Sequence, residues 1–108
     1  MKQYKTVYLS GSISGRIQGI AEFHFKAVQR WIEEQTGAYV YNPMEFKERD
    51  CWEDYMRDGI SALMDSDAIL MLDGWQESRG ASLERHIALE LKIPVFYEHT
   101  TLWASSEN

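Results

Sequence analysis

The chain has 108 residues, 44% of them hydrophobic and 13% aromatic, with 17 acidic against 11 basic side chains and a formal charge of −6. This length fits one domain, residues 1 to 108, with one packed core, and the negative surface repels polyphosphate, which argues against a nucleic-acid partner. The single cysteine, Cys51, excludes an internal disulfide and fits a reducing compartment. The scattered His24, His86 and His99 show no metal-ligand spacing, so no metal is expected. The N-terminus carries no apolar signal segment and no apolar run is long enough to cross a bilayer, so a cytoplasmic protein without a membrane partner is expected.

Thr6-Val7-Tyr8-Leu9 reads as a first strand and runs into a small-residue loop, Ser10-Gly11-Ser12-Ile13-Ser14-Gly15-Arg16. Ile20, Phe23, Ala27, Val28, Trp31 and Ile32 then recur at helical spacing, with Gly37 as the stop. Ala38 to Tyr41 reads as a second strand, ended by Asn42-Pro43 because proline cannot donate to a ladder. Met44 to Asp50 is polar and mixed, a loop or frayed turn. Trp52, Tyr55, Met56, Ile60, Leu63 and Met64 mark a second helix. Ala68 to Leu72 is an apolar run of strand length. Leu83, Ile87, Ala88 and Leu91 predict the core face of a third helix, and Val95-Phe96-Tyr97 a fourth strand. The tail from Glu98 to Asn108, with Leu102 and Trp103, has no periodicity; Trp103 is expected to pack on the body or on a partner subunit.

Strands alternating with helices imply a parallel sheet of about four or five strands in a three-layer α/β/α sandwich of the flavodoxin or Rossmann kind. The first and third strands should be neighbours where the strand order reverses. Ligands bind there, at the carboxyl ends of the strands. Two special stretches converge on that crevice. The loop Gly11, Ser12, Ile13, Ser14, Gly15, Arg16 offers N–H groups to an anion, although it has neither a Walker A lysine nor dinucleotide glycine spacing. The turn Gly74 to Glu84 brings Ser78, Gly80 and a carboxylate, Glu84, into the start of a helix. The helix dipole favours the ionised form of Glu84, which suits a nucleophile. Ser78 and the N–H groups near Gly80 suit an anion. Tyr8 would secure Glu84 if it faces the same side; strand alternation leaves that open. Trp75 is a candidate platform for a base or a packing anchor. Asp73 is a candidate acid or a solvated turn residue, Asn42 a further candidate base contact, and Arg79 and Arg85 surface charges unless they border an anion.

The combination Val7-Tyr8-Leu9-Ser10-Gly11-Ser12-Ile13-Ser14-Gly15, Asp67-Ala68-Ile69, and Ser78-Arg79-Gly80-Ala81-Ser82-Leu83-Glu84 with Ala88 and Ile93-Pro94-Val95 resembles the nucleoside 2-deoxyribosyltransferase superfamily over residues 5 to 97. The pattern Gly-Trp-x-x-Ser-x-Gly-Ala-x-x-Glu is similar to a small bacterial and phage branch related to 2′-deoxynucleoside 5′-monophosphate N-hydrolases. The resemblance implies cleavage or transfer of the N-glycosidic bond of a (deoxy)nucleoside or nucleoside 5′-monophosphate, with Glu84 as nucleophile and Tyr8 beside it. It implies no organic cofactor, and a homodimer or larger homo-oligomer. Ser78 stands where the transferases carry an aspartate and the N-hydrolase branch a phosphate-holding serine. Ser14 stands where that branch has an arginine, a role for which Arg16 is the candidate substitute. The position of a sugar-contacting aspartate falls on Gly59. Asp58, about 100° away around a helix, is a candidate catalytic residue if the helix distorts to bring it inward. Two other readings compete with the enzyme: a nucleotide-binding sensor that kept the fold without the chemistry, and a flavodoxin-like FMN carrier.

Overall fold

The computed structural model describes residues 4–13 and 18–100. Four strands, β1 (Thr6–Ser10), β2 (Tyr39–Tyr41), β3 (Ala68–Met71) and β4 (Val95–Tyr97), alternate with three helices, α1 (Gln18–Thr36), α2 (Trp52–Met64) and α3 (Arg79–Glu90). Every strand pairing is parallel, and the order across the sheet is β2-β1-β3-β4. The chain moves outward from β1 to β2, then returns past β1 to place β3 on its other side. The sheet therefore reverses direction between β1 and β3, as expected for an open α/β fold.

The two central strands are buried except at Thr6, the first residue of β1, as a parallel sheet covered on both faces requires. Alternation divides their side chains. Val7, Leu9, Ala68, Leu70 and Leu72 join Phe25, Val28 and Ile32 of α1 in one core. Tyr8, Ile69 and Met71 join Ala62, Leu63, Ala81 and Ala88 of α2 and α3 in the other. These are the three layers expected from the sequence. The Asp67 carboxylate accepts from the backbone N–H groups of Lys5 and Thr6 at 2.9 and 3.1 Å, tying the starts of β1 and β3 together.

Element boundaries follow the local signals, but two helix faces differ from expectation. In α1 the buried set is Ala21, Phe25, Val28 and Ile32, while Ile20 and Ala27 are exposed and Phe23 is 75% exposed. In α3 the buried set is Ala81, Glu84 and Ala88, with Ile87 half-buried; Leu83 and Leu91 stay exposed. Small residues and a glutamate, not the leucines, face the sheet because α3 must lie close enough for Glu84 to reach β1. Met64 of α2 is likewise exposed. Gly37 ends α1 at φ +74°, and Gly74 turns the chain out of β3 at φ +92°; both lie in the left-handed region that glycine adopts without steric cost. Within the stretch expected as a loop or frayed turn, Met44 lies in a short 3₁₀ turn, Pro43–Glu45, capped by Asn42.

Candidate functional site

The centre of the site is a buried carboxylate at the switch point of the sheet. Glu84 lies in the second turn of α3 and is 6% exposed. Its Oε2 accepts from the Tyr8 hydroxyl at 2.8 Å and its Oε1 from the Ser10 hydroxyl at 2.7 Å. Both donors sit on β1, two residues apart, so the pleat points both at the same face. That settles the orientation of Tyr8, and it adds Ser10, a residue that sequence reasoning placed only in the loop. Its signal was present: once Tyr8 faces the helix, period-two alternation requires Ser10 to do so as well.

Burial pushes the Glu84 carboxyl up to about 7, and the hydrogen bonds from Ser10 and Tyr8 draw it back only in part. The expectation that the helix dipole keeps Glu84 ionised is therefore corrected. The dipole acts within the first turn, and Glu84 sits beyond it, where desolvation dominates. At neutral pH the group exchanges readily between carboxylate and acid. Burial, with the Glu84 charge, raises the Tyr8 hydroxyl well above its ordinary range, so it remains a donor. Burial and the charges of Glu84 and Asp58 push Tyr55 up to about 12; its hydroxyl donates to the Pro43 carbonyl at 3.0 Å.

α2 closes the site from the side. A Cβ placed on Gly59 would lie 2.6 Å from Glu84 Oε2 and 2.7 Å from the Tyr8 hydroxyl. The α2 backbone thus rests against the Glu84–Tyr8 pair, and there is no room for a side chain. Glu84 and Tyr8 line a cavity of about 80 Å³, together with Gly11, Ile13, Pro43, Trp52, Tyr55, Met56, Ser78, Gly80 and Ala81. Two broader recesses share lining residues with it. One, of about 440 Å³, is bordered by Ser12, Trp52, Glu77, Ser78, Arg79 and Gly80. The other, of about 390 Å³, is bordered by Glu48, Arg49, Asp50, Cys51, Trp52 and Tyr55.

Of the residues expected at a site, the structure brings together Glu84, Tyr8, Gly11, Ser12, Ile13, Ser78 and Gly80. The Ser78 hydroxyl oxygen caps α3 by accepting from the Ala81 N–H at 3.0 Å, which leaves its own proton available. Gly11 is needed chiefly for packing, since a Cβ there would meet Leu72 and Phe25 at 3.0 and 3.2 Å. Ser14, Gly15 and Arg16, like Leu102 and Trp103 of the tail, lie outside the described residues.

Four candidates are placed elsewhere. The Asp58 carboxylate is held by Arg49 at 2.8 Å and borders a separate surface recess beside Tyr41 and Asp65. α2 runs as one continuous helix through Asp58 and Gly59, without the distortion that would turn Asp58 inward. Trp75 packs by Tyr97 and under the Arg85 guanidinium, at 6.1 and 4.8 Å, on the β4 side of α3. Asp73 is exposed and pairs with His99 at 3.1 Å. Asn42 is a buried cap: its carbonyl accepts from the Met44 N–H, and its amide donates to Gln29. Among the described residues no group of histidine, cysteine and carboxylate side chains is arranged to hold a metal ion, and no helix is long and apolar enough to cross a membrane.

Fold and site together define a parallel α/β domain with a buried, doubly hydrogen-bonded glutamate where its strand order reverses. Residues 5–97 match the family described as Domain of unknown function (DUF4406), and the chain belongs to that family. No curated protein and no solved structure matches the chain.

Proposed function

We propose that the protein cleaves or transfers the N-glycosidic bond of a (deoxy)nucleoside or nucleoside 5′-monophosphate, with Glu84 as nucleophile. The observation that carries this reading is Glu84 itself, buried in the lining of a cavity and held through both oxygens by Tyr8 and Ser10. A structural glutamate of α3 would point to solvent; this one is drawn inward at the desolvation cost that raises its pKa. The sequence resemblance to the nucleoside 2-deoxyribosyltransferase superfamily supports the same chemistry.

In the proposed reaction a Glu84 carboxylate oxygen bonds to C1′ as the C1′–N bond breaks, and the electron pair leaves with the base, which takes a proton from solvent. Water or a second base then bonds to C1′. The glycosyl ester breaks, its electron pair returns to Glu84, and the attacking group releases its proton. Tyr8 and Ser10 orient the carboxylate, and Ser12, Ser78 and Arg79 at the adjoining recess face the part of the ligand that carries negative charge. No metal or organic cofactor takes part in these steps. The reading includes a homo-oligomer, which would cover the exposed Leu83 and Leu91 of α3; light scattering should give at least twice the chain mass, and a monomer would remove that element.

The test is incubation with a panel of nucleosides and 5′-monophosphates, with and without an acceptor base. Free base alone indicates a hydrolase, a new nucleoside a transferase, and neither contradicts the proposal. A second reading, a nucleotide-binding sensor, draws support from one observation: the α2 position that would hold a sugar-contacting aspartate is Gly59, and Asp58 is engaged with Arg49. Binding without turnover would select it.

A further inference from the structure

Among the described residues Trp52 is the one that borders all three spaces: the chamber at Glu84, the recess at Ser78 and Arg79, and the recess at Arg49 and Tyr55. It is the first residue of α2, and Arg79, the first of α3, lays its guanidinium carbon 3.8 Å from the indole centroid. A cation stacked this closely covers indole surface and holds the ring in place. Gly80 permits the approach of the two helices: a Cβ there would lie 2.8 Å from the Met56 sulfur and 3.8 Å from the indole nitrogen. The indole is thus anchored rather than loose, half-buried at the junction of three spaces.

The two outer recesses differ in kind. On one side stand Ser12, Ser78 and Arg79; among the described residues Arg79 makes no ion pair, and Glu77 is the only carboxylate bordering that space. On the other side Arg49 is already neutralised by Asp58 at 2.8 Å, Glu48 and Asp50 add negative charge, and Tyr55 adds an aromatic wall. An anionic group is favoured on the first side and repelled from the second. The chamber that shares walls with both, about 80 Å³, is far below the roughly 300 Å³ of a pocket that encloses a whole ligand. A ligand that reaches Glu84 must therefore extend into the recesses with its charged end and its remaining part on opposite sides.

We propose that Trp52 is the specificity-determining stacking platform of the cleft. It receives a planar heterocyclic ring on the Tyr55 side, while the ligand's anionic group lies on the Arg79 side. This rests on the glycosidase reading, which supplies a ligand with a ring at one end of a sugar, and it replaces Trp75 as the ring contact.

The experiment uses the full chain carrying Glu84→Gln, so that ligands stay intact, with dAMP and 2-deoxyribose 5-phosphate as probes. The second probe has the same sugar phosphate without the ring. Trp52→Ala should weaken dAMP about ten-fold or more, the usual range for loss of one base–aromatic stack, and leave 2-deoxyribose 5-phosphate unchanged. Equal affinity for dAMP, or equal weakening of both probes, overturns the inference. Should Trp52→Ala fail to fold, Trp52→Phe decides: dAMP should still bind but lose most of its quenching of tryptophan emission, and unchanged quenching overturns the inference. If dAMP binds no form of the protein, the glycosidase reading and this inference fall together. If dAMP binding depends on Trp52 but the wild-type chain releases no base, the catalytic reading falls alone.

Discussion

Glu84 exchanges its proton near neutral pH because burial opposes the charge more strongly than Ser10 and Tyr8 support it. A folded-state pKa of about 7 against an ordinary 4.5 means that the folded chain holds a proton the unfolded chain has released between those values. The associated stability is fully present below about 4.5 and is lost as pH rises toward 7, in total on the order of 3 kcal/mol. Glu84→Gln, which never ionises, should therefore melt higher than the wild type at pH 8 and lose that advantage by pH 5; a pH-independent difference would contradict the burial argument. Ser10→Ala removes a bond that favours the charged form, so the Glu84 midpoint, followed by carbon-13 NMR of labelled glutamate, should move up, and Ser10→Thr should restore it. If the carboxylate is the nucleophile, kcat/KM should rise through pH 7. At this scale the sequence was informative about Glu84 and Tyr8, each marked by its place beside a loop or turn. It was silent on proton affinity, which depends on how deeply packing buries the group.

At the scale of elements, the site depends on how closely two helices approach the sheet. α3 turns its small residues, Ala81 and Ala88, inward with Glu84, and α2 meets them with Gly59. Gly59→Ala forces a methyl into the space between Glu84 Oε2 and the Tyr8 hydroxyl. It should cost about 1–3 kcal/mol in stability, as overpacking does, and displace the carboxylate; thermal melting and turnover would both report it. Asp58→Ala removes only a part-exposed pair with Arg49, so stability should change by less than about 1 kcal/mol and turnover little. A large loss of turnover would return Asp58 to the chemistry. The sequence located the helices well, because apolar spacing and the stop at Gly37 are local signals. It misjudged the buried face of α3, and of the apolar residues at helical spacing in α1 it did not separate the buried Val28 and Ile32 from the exposed Ile20 and Phe23. Both helices carry more large apolar residues than their core faces use, and nothing local says that close approach selects Ala81 over Leu83.

For the molecule as a whole, the order β2-β1-β3-β4 brings Tyr8 and Ser10 of β1 against Glu84 of α3, across 76 and 74 residues of chain. The meeting of the loop after β1 with the turn before α3 was legible beforehand, because an alternating α/β pattern reverses strand order in few ways, whereas the facing of Tyr8 and Ser10 was not. Nor were the walls of the cleft. Trp52, Tyr55 and Met56 read most simply as core residues or a dimer face, and only packing shows that the start of α2 faces the start of α3. The central claim, that Glu84 forms the bond to C1′, is tested most directly by comparing base release by the wild-type chain and by Glu84→Gln on the best substrate of the nucleotide panel. The account predicts release by the wild type and a fall of about a thousand-fold or more in the variant, with the fold intact. Wild-type turnover by Glu84→Gln would contradict it.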